Sequence, residues 1–147
     1  MVQTGDAAPD FEAPTQKGEP LKLSSLRGHP VVLYFYPQAD TPGCTRESKG
    51  FRDLYPQFRA RGVEIVGVST DSVGEQAAFC EKYSLPFPLV ADQSKEVGKK
   101  YGVLRPSGRA RRVSFLIGPD GKVLDSVDDG APEPHVERAK ARFLAPS

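Results

Sequence analysis

The chain has two cysteines, and one of them, Cys44, stands where reactive chemistry is easily built. It follows Pro37-Gln38-Ala39-Asp40-Thr41-Pro42-Gly43 and precedes Thr45-Arg46-Glu47. An apolar run, Val31 to Tyr36, enters this turn. A helix is predicted after it, because Phe51, Leu54, Tyr55 and Phe58 recur at i, i+3, i+4 and i+7. Cys44 is one of that helix's first residues and lies on the same face. A thiol there meets unpaired backbone N–H groups and the positive end of the helix dipole. Both favour thiolate over thiol, and cysteines in such places acidify from ~8.5 to roughly 3.5–7.5. Cys44 therefore reads as an activated, partly exposed nucleophile on a strand–loop–helix junction. The plainer alternative is a small apolar residue opening the buried face of the helix.

The elements that would position Cys44 follow from the patterning. The unbroken apolar run Val31–Tyr36 fits a strand buried on both faces. The helix is predicted from about Thr45 to Arg61, with Gly62 as its stop. Val63–Ser69 reads as a second strand, so strand, helix and strand form a parallel βαβ unit. Loops at the carboxyl ends of such strands are where α/β proteins place their sites, and Thr41–Cys44 lies at one. Ser69-Thr70-Asp71-Ser72 offers caps for a helix over Val73–Tyr83. Its apolar positions Val73, Ala77, Cys80 and Ser84 point Cys80 to the core or its margin. A short strand is expected at Leu89–Ala91 and a short helix at Lys95–Tyr101, ended by Gly102. Residues 104–112, with four arginines, Pro106 and Gly108, read as an exposed loop. Val113–Ile117 and Lys122–Val127 form a hairpin about Gly118-Pro119-Asp120-Gly121. His135–Leu144 is a closing helix with Val136, Ala139, Phe143 and Leu144 on one side. Before all of these, an extended piece after Phe11, a loop at residues 16–19 and an edge strand Leu21–Leu23 suggest an N-terminal hairpin, with Ser24–Gly28 a capped turn.

Length and composition bound the rest. A chain of 147 residues is expected to be one domain, and at this size about two thirds of the unfolded surface is buried without help from disulfide or metal. A net charge of +1 gives no argument for nucleic acid or an anionic membrane. The longest apolar run is far below the ~18–20 residues that span a bilayer. The first ten residues do not have the pattern of a signal peptide. Two cysteines without a leader suggest a reducing, cytoplasmic compartment and catalytic rather than structural thiols.

The motif Pro37-x-x-x-Thr41-x-x-Cys44 resembles the active site of the peroxiredoxins. The longer string from Tyr36-Pro37 through Thr41-Pro42-Gly43-Cys44-Thr45 to Glu47, then Gly50-Phe51-Arg52-Asp53, is similar to their PrxQ branch, also called bacterioferritin comigratory protein. Further segments match in order: Glu81-Lys82-Tyr83 before Leu85-Pro86-Phe87-Pro88-Leu89, then Tyr101-Gly102-Val103, then Arg112-x-Ser114-Phe115-Leu116-Ile117 and Pro119-Asp120-Gly121-Lys122. The resemblance spans nearly the whole chain. It implies a thioredoxin-like fold, with a mixed central sheet, helices on both faces and an N-terminal β-hairpin. It also implies a thiol-dependent peroxidase, without cofactor or metal, that reduces hydrogen peroxide and organic hydroperoxides in antioxidant defence. A thioredoxin itself would need a Cys-x-x-Cys, and Thr41 stands three residues before Cys44 instead.

By this resemblance, Cys44 is the peroxidatic cysteine, whose thiolate attacks one peroxide oxygen in line and becomes a sulfenic acid. The backbone N–H groups of Gly43 and Cys44 would bind developing anion. The Thr41 hydroxyl both donates and accepts, and would bridge thiolate and peroxide. Pro37 would shield the thiolate, and Arg112 would stabilise it and polarise the peroxide. Glu47 would orient Arg112. Each has a plainer reading: Pro37 as a strand end, Thr41 as a turn residue, Glu47 as a dipole partner, Arg112 as one of the loop's solvated arginines. Ser114 stands where the family more often has threonine.

Cys80 is the second thiol. Many PrxQ proteins carry a cysteine five positions after the first, which is Lys49 here. Another subset resolves with a cysteine on the next helix, and Cys80 matches that place. The resemblance thus favours Cys80 as resolving cysteine through an intramolecular disulfide, recycled by thioredoxin or a similar dithiol. The alternative is a one-cysteine peroxidase in which Cys80 is structural and an external thiol resolves. No thiol suits an intersubunit bridge, so a monomer is expected. A thiol hydrolase would pair Cys44 with His29 or His135. A nucleic-acid-binding reading could use only the Arg105–Arg112 loop, and a metal site lacks clustered ligands.

Overall fold

The computed structural model describes residues 1–144. Strand β3 (Val31–Phe35) is central and buried along its whole length. Strands β4 (Glu64–Ser69) and β5 (Leu89–Ala91) extend from it in parallel. On its other side β6 (Val113–Ile117) and β7 (Val123–Asp128) add antiparallel, giving the order β5-β4-β3-β6-β7. The helices are α1 (Pro42–Ala60), α2 (Val73–Tyr83), α3 (Glu96–Tyr101) and α4 (Glu133–Phe143).

Alternation along β3 divides the core in two. Val32, Tyr34 and Tyr36 pack with Phe51 and Phe58 of α1, Phe79 of α2 and Ala139 of α4. Val31, Leu33 and Phe35 pack with Val97 and Tyr101 of α3. The result is the expected mixed sheet with helices on both faces. An N-terminal hairpin, β1 (Glu12–Pro14) with β2 (Pro20–Lys22), lies against it. Thr15 bridges to Val90 and the Gln16 N–H donates to Leu89 O at 3.0 Å, so the hairpin covers the edge of β5. Leu23, expected at the end of an edge strand, is instead the buried first residue of a 3₁₀ turn, Leu23–Leu26.

Two helices differ from the sequence expectation in instructive ways. Helix α1 begins at Pro42, three residues before Thr45. Proline suits the first helical position, because its missing N–H has no partner there and its φ is already helical. The helix also continues through Pro56. Its buried face is Cys44, Glu47, Ser48, Phe51 and Phe58. At Gly50 a Cβ would come within 2.9 Å of Val136, so glycine permits the close packing of α4. In α2 the span is as expected, and Ser72 with Glu75 forms a reciprocal capping box. Its buried residues, however, are Gln76 and Phe79. Ser84, expected on the apolar stripe, is exposed and ends the helix at φ 52. Gln76 hid the true face because it is polar. It is held in the core by Tyr36 Oη, which donates to its Oε1 at 2.6 Å, and by donating to Ser69 Oγ and Val90 O at 2.9 Å each.

Among the described residues no helix is long and apolar enough to cross a membrane, and no cluster of side chains could hold a metal ion.

Candidate active site

Sheet register assembles the site. Phe35 of β3 lies opposite Val113 of β6. Arg112, one residue earlier, therefore stands beside the carboxyl end of β3, where the chain leaves for Cys44. The Tyr36 N–H still donates to Val68 O at 3.0 Å, and Pro37, lacking an N–H, ends the ladder.

Cys44 is the third residue of α1 and is only 1% exposed. Thr41 is the N-cap residue, but its side chain makes no cap bond. Its hydroxyl donates to Gln38 O at 2.8 Å. The first helical bond runs from the Thr45 N–H to Thr41 O. The N–H groups of Gly43 and Cys44 are thus left without a protein acceptor among the described residues, as the start of an uncapped helix requires. The Thr41 proton is thus committed to Gln38 O, which leaves its oxygen able to accept.

Arg112 is 8% exposed, unlike the arginines before it in the loop, and touches three partners. Nη2 is 3.5 Å from Cys44 Sγ, Nη1 donates to Glu47 Oε1 at 2.8 Å, and Nε donates to Gly130 O at 2.9 Å. A Cβ on Gly43 would lie 2.9 Å from Nη2, so only glycine lets the guanidinium cross the first turn of α1. Burial works against the Arg112 charge, but Glu47 and Cys44 outweigh it and hold its pKa above the ordinary value. Glu47 is fully buried. Burial pushes its carboxyl up to about 8, against the pull of Arg112. Among the described residues its Oε2 has no hydrogen-bond partner, and it lies 3.6 Å from His135 Nδ1.

The loop ahead of Cys44 is braced by the neighbourhood of α2. The Ala39 N–H donates to buried Asp71 at 2.7 Å, as does Ser69 Oγ at 2.6 Å. Arg109 reaches both Asp71, at 3.6 Å, and Pro37 O, at 3.4 Å. Asp40, at φ 60, accepts from Lys82 Nζ at 2.9 Å and Tyr83 Oη at 2.8 Å, near the end of α2.

Cys80 is half-buried on α2 and, like Cys44, is a free thiol. Its S–H donates to Leu85 O at 3.0 Å, and Gln16 Nε2 donates to its sulfur at 3.7 Å. The structure therefore gathers Gly43, Cys44, Glu47 and Arg112 at one point, with Thr41 and Pro37 at the rim and Cys80 on a separate helix. Neither histidine bonds to Cys44: His29 Nδ1 lies 3.1 Å from Gly62 O, and His135 bonds to Ser114 and Asp129. Asp71 and the buried pair Ser114–His135 were not foreseen. Asp71 carried only the signal of a helix cap, and His135 that of a helix start.

A family model described as the AhpC/TSA family matches residues 4–126. The chain belongs to the AhpC/TSA family. Within this family it sits on the peroxiredoxin Q branch. The crystal structure of peroxidoxin BcpB from Mycobacterium tuberculosis has 40% identity and a TM-score of 0.93, covering 100% of this chain and 99% of that one. Peroxiredoxin Q of Xanthomonas campestris has 31% identity and a TM-score of 0.87, covering 98% and 96%. Two structures of the Xanthomonas protein carry serine at one or the other of two cysteines, whose separation in that chain equals that of Cys44 and Cys80 here. Chloroplastic peroxiredoxin Q of Sedum lineare is 46% identical over 102 residues, 69% of this chain and 55% of its own, so the chain spans about half of that longer relative. As a peroxiredoxin, this AhpC/TSA protein is a thiol peroxidase, acting on a peroxide with a thiol reductant.

Proposed function

We propose that Cys44 is the peroxidatic thiol and Cys80 the resolving thiol of a cycle closed by a dithiol reductant of the thioredoxin type. The observation that carries the first half is the 3.5 Å approach of Arg112 to Cys44 at an uncapped helix start. The Cys44 thiolate attacks the terminal oxygen of the hydroperoxide, the S–O bond forms as the O–O bond breaks, the sulfur keeps the hydroxyl as a sulfenic acid, and the departing alkoxide or hydroxide takes a proton from solvent. Arg112 and the N–H groups of Gly43 and Cys44 are placed to hold charge as it moves onto the departing oxygen. Thr41 accepts from the peroxide O–H. Glu47 fixes the plane of the guanidinium, and Pro37 covers the rim.

The Cys44 sulfenic acid then condenses with the Cys80 thiol, forming a disulfide and releasing water. The cysteine spacing shared with the Xanthomonas protein supports this step. Both sulfurs sit within helices and have other partners, so this reading includes local unwinding, of α2 near Cys80 or of both helix starts, as they meet. The substrates are hydrogen peroxide and organic hydroperoxides. Both thiols of the cycle belong to one chain, which supports a monomer as the working unit.

The test is intact mass and thiol count after one equivalent of hydrogen peroxide, with Cys44→Ser and Cys80→Ser beside the parent. Loss of both thiols as one internal disulfide is expected, with Cys80→Ser halting at the sulfenic acid. A free Cys80 beside an oxidised Cys44 in the parent would make this a one-cysteine enzyme. Reaction no faster than an ordinary thiol would end the assignment of Cys44.

Asp40 gives a second prediction. Its bonds to Lys82 and Tyr83 tie the Cys44 loop to the end of α2, which opens if that helix unwinds. Asparagine tolerates the left-handed backbone but gives up the charge. Asp40→Asn is expected to speed disulfide formation about twofold to fivefold, the scale of one exposed ion pair. Quenched mass time courses would show it, and an unchanged rate would mean that α2 opens without releasing this loop.

A further inference from the structure

His135, in the first turns of α4, has no exposed surface and no part in the cycle above. Its Nε2 is 2.8 Å from Asp129 O. A carbonyl only accepts, so Nε2 carries hydrogen and Nδ1 of the neutral ring is an acceptor. Nδ1 receives the Ser114 hydroxyl at 2.7 Å. It also lies 3.6 Å from Glu47 Oε2, the buried side-chain oxygen that has no partner. An ionised Glu47 would leave a buried carboxylate oxygen without a donor, a costly arrangement. A protonated Glu47 turns the same oxygen into a donor aimed at an acceptor.

We propose that His135 is a positioning residue for peroxide reduction: its Nδ1 faces a proton that Glu47 Oε2 keeps at neutral pH, so that Glu47 orients Arg112 through Oε1 without neutralising the charge Arg112 presents to Cys44. This rests on the assignment of Cys44 and Arg112 made above. With Glu47 ionised, the Cys44 thiolate would face an ion pair of no net charge. With Glu47 protonated, it faces an undiluted cation.

The surrounding charges fit one proton on this pair. Glu47 is met by Arg112 ahead of β6, Cys44 on its own helix, Tyr34 on β3, and Glu133 and His135 on α4. His135 is met by Glu47, Arg112, Asp128 and Asp129. Burial is the largest influence on both, raising the carboxyl and lowering the imidazole; Arg112 opposes it at Glu47, while Asp129 and Asp128 oppose it at His135. Both shifts leave the proton on Glu47 and the ring neutral.

The test is infrared difference spectroscopy of the full chain across pH, with Glu47→Gln to assign the band. A protonated-carboxyl stretch is expected at pH 7, absent from Glu47→Gln and lost on raising pH with a midpoint of about 8. His135→Leu removes Nδ1 and leaves no acceptor in its place. It is expected to lower the midpoint, by at most the roughly one unit of a full hydrogen bond because Nδ1 is 3.6 Å from Oε2, and to move the alkaline fall in Cys44 oxidation rate with it. Ser114→Ala removes the competing donor to Nδ1 and is expected to raise the midpoint, which keeps the test decisive if His135→Leu does not fold. No such band at pH 7, or a midpoint indifferent to both variants, would overturn the proposal. That outcome is distinct from failure of the site itself, which would appear as slow Cys44 oxidation at every pH.

Discussion

Replacing Arg112 by methionine is expected to slow peroxide oxidation of Cys44 by about 10²–10³-fold, the usual cost of deleting one preorganised donor from a site of charge development. Arg112 is the cation in contact with the sulfur, and its three bonds hold it in one orientation. Methionine keeps the length of the stem and removes the charge and every donor. Lysine restores the charge but, as a point ammonium, cannot serve Cys44, Glu47 and Gly130 together, so Arg112→Lys is expected to recover only part of the rate. Rapid-quench intact mass suits the measurement because the chain has no tryptophan. A rate for Arg112→Met within threefold of the parent would remove Arg112 from the chemistry.

Phe51→Ala is expected to cost about 3–5 kcal/mol of folding stability, the range for a large aromatic removed from a core. Phe51 has no exposed surface, and its ring lies 4.7 Å from that of Tyr34 on the central strand and 6.5 Å from that of Phe58. With Phe58, it is one of the residues by which α1, and with it Cys44, is fastened to the sheet. Denaturant midpoints would read the loss. A cost below about 1 kcal/mol would mean that neighbouring side chains collapse into the space, since cavity cost depends on how well the site relaxes.

The sheet was legible because its strands are apolar runs with clear borders: Val113–Ile117 and Leu89–Ala91 were placed to the residue. Cys44, Thr41 and Pro37 were legible as a local motif whose spacing survives in one stretch of chain. What escaped were polar residues made structural by contacts far away in sequence. Gln76 looks like a surface residue until Tyr36 and Val90 are beside it. His135 looks like a helix-start residue until α4 packs on α1 and brings it to Glu47. Helix α1 starts three residues ahead of Thr45 because Pro42, a residue type common in turns, also suits the first position of a helix.

Cys44 and Arg112 are 68 residues apart along the chain, which has a consequence for biosynthesis. At ~5–20 residues per second, a ribosome adds Arg112 roughly 3–14 seconds after Cys44. Until β6 docks beside β3, the cysteine has no guanidinium and no fixed helix start, and it reacts as any free thiol does. If Cys44 and Arg112 act as proposed, a nascent or misfolded copy spends its sulfur on ambient oxidant only at the rate of an ordinary thiol. Full reactivity then arrives with the finished fold.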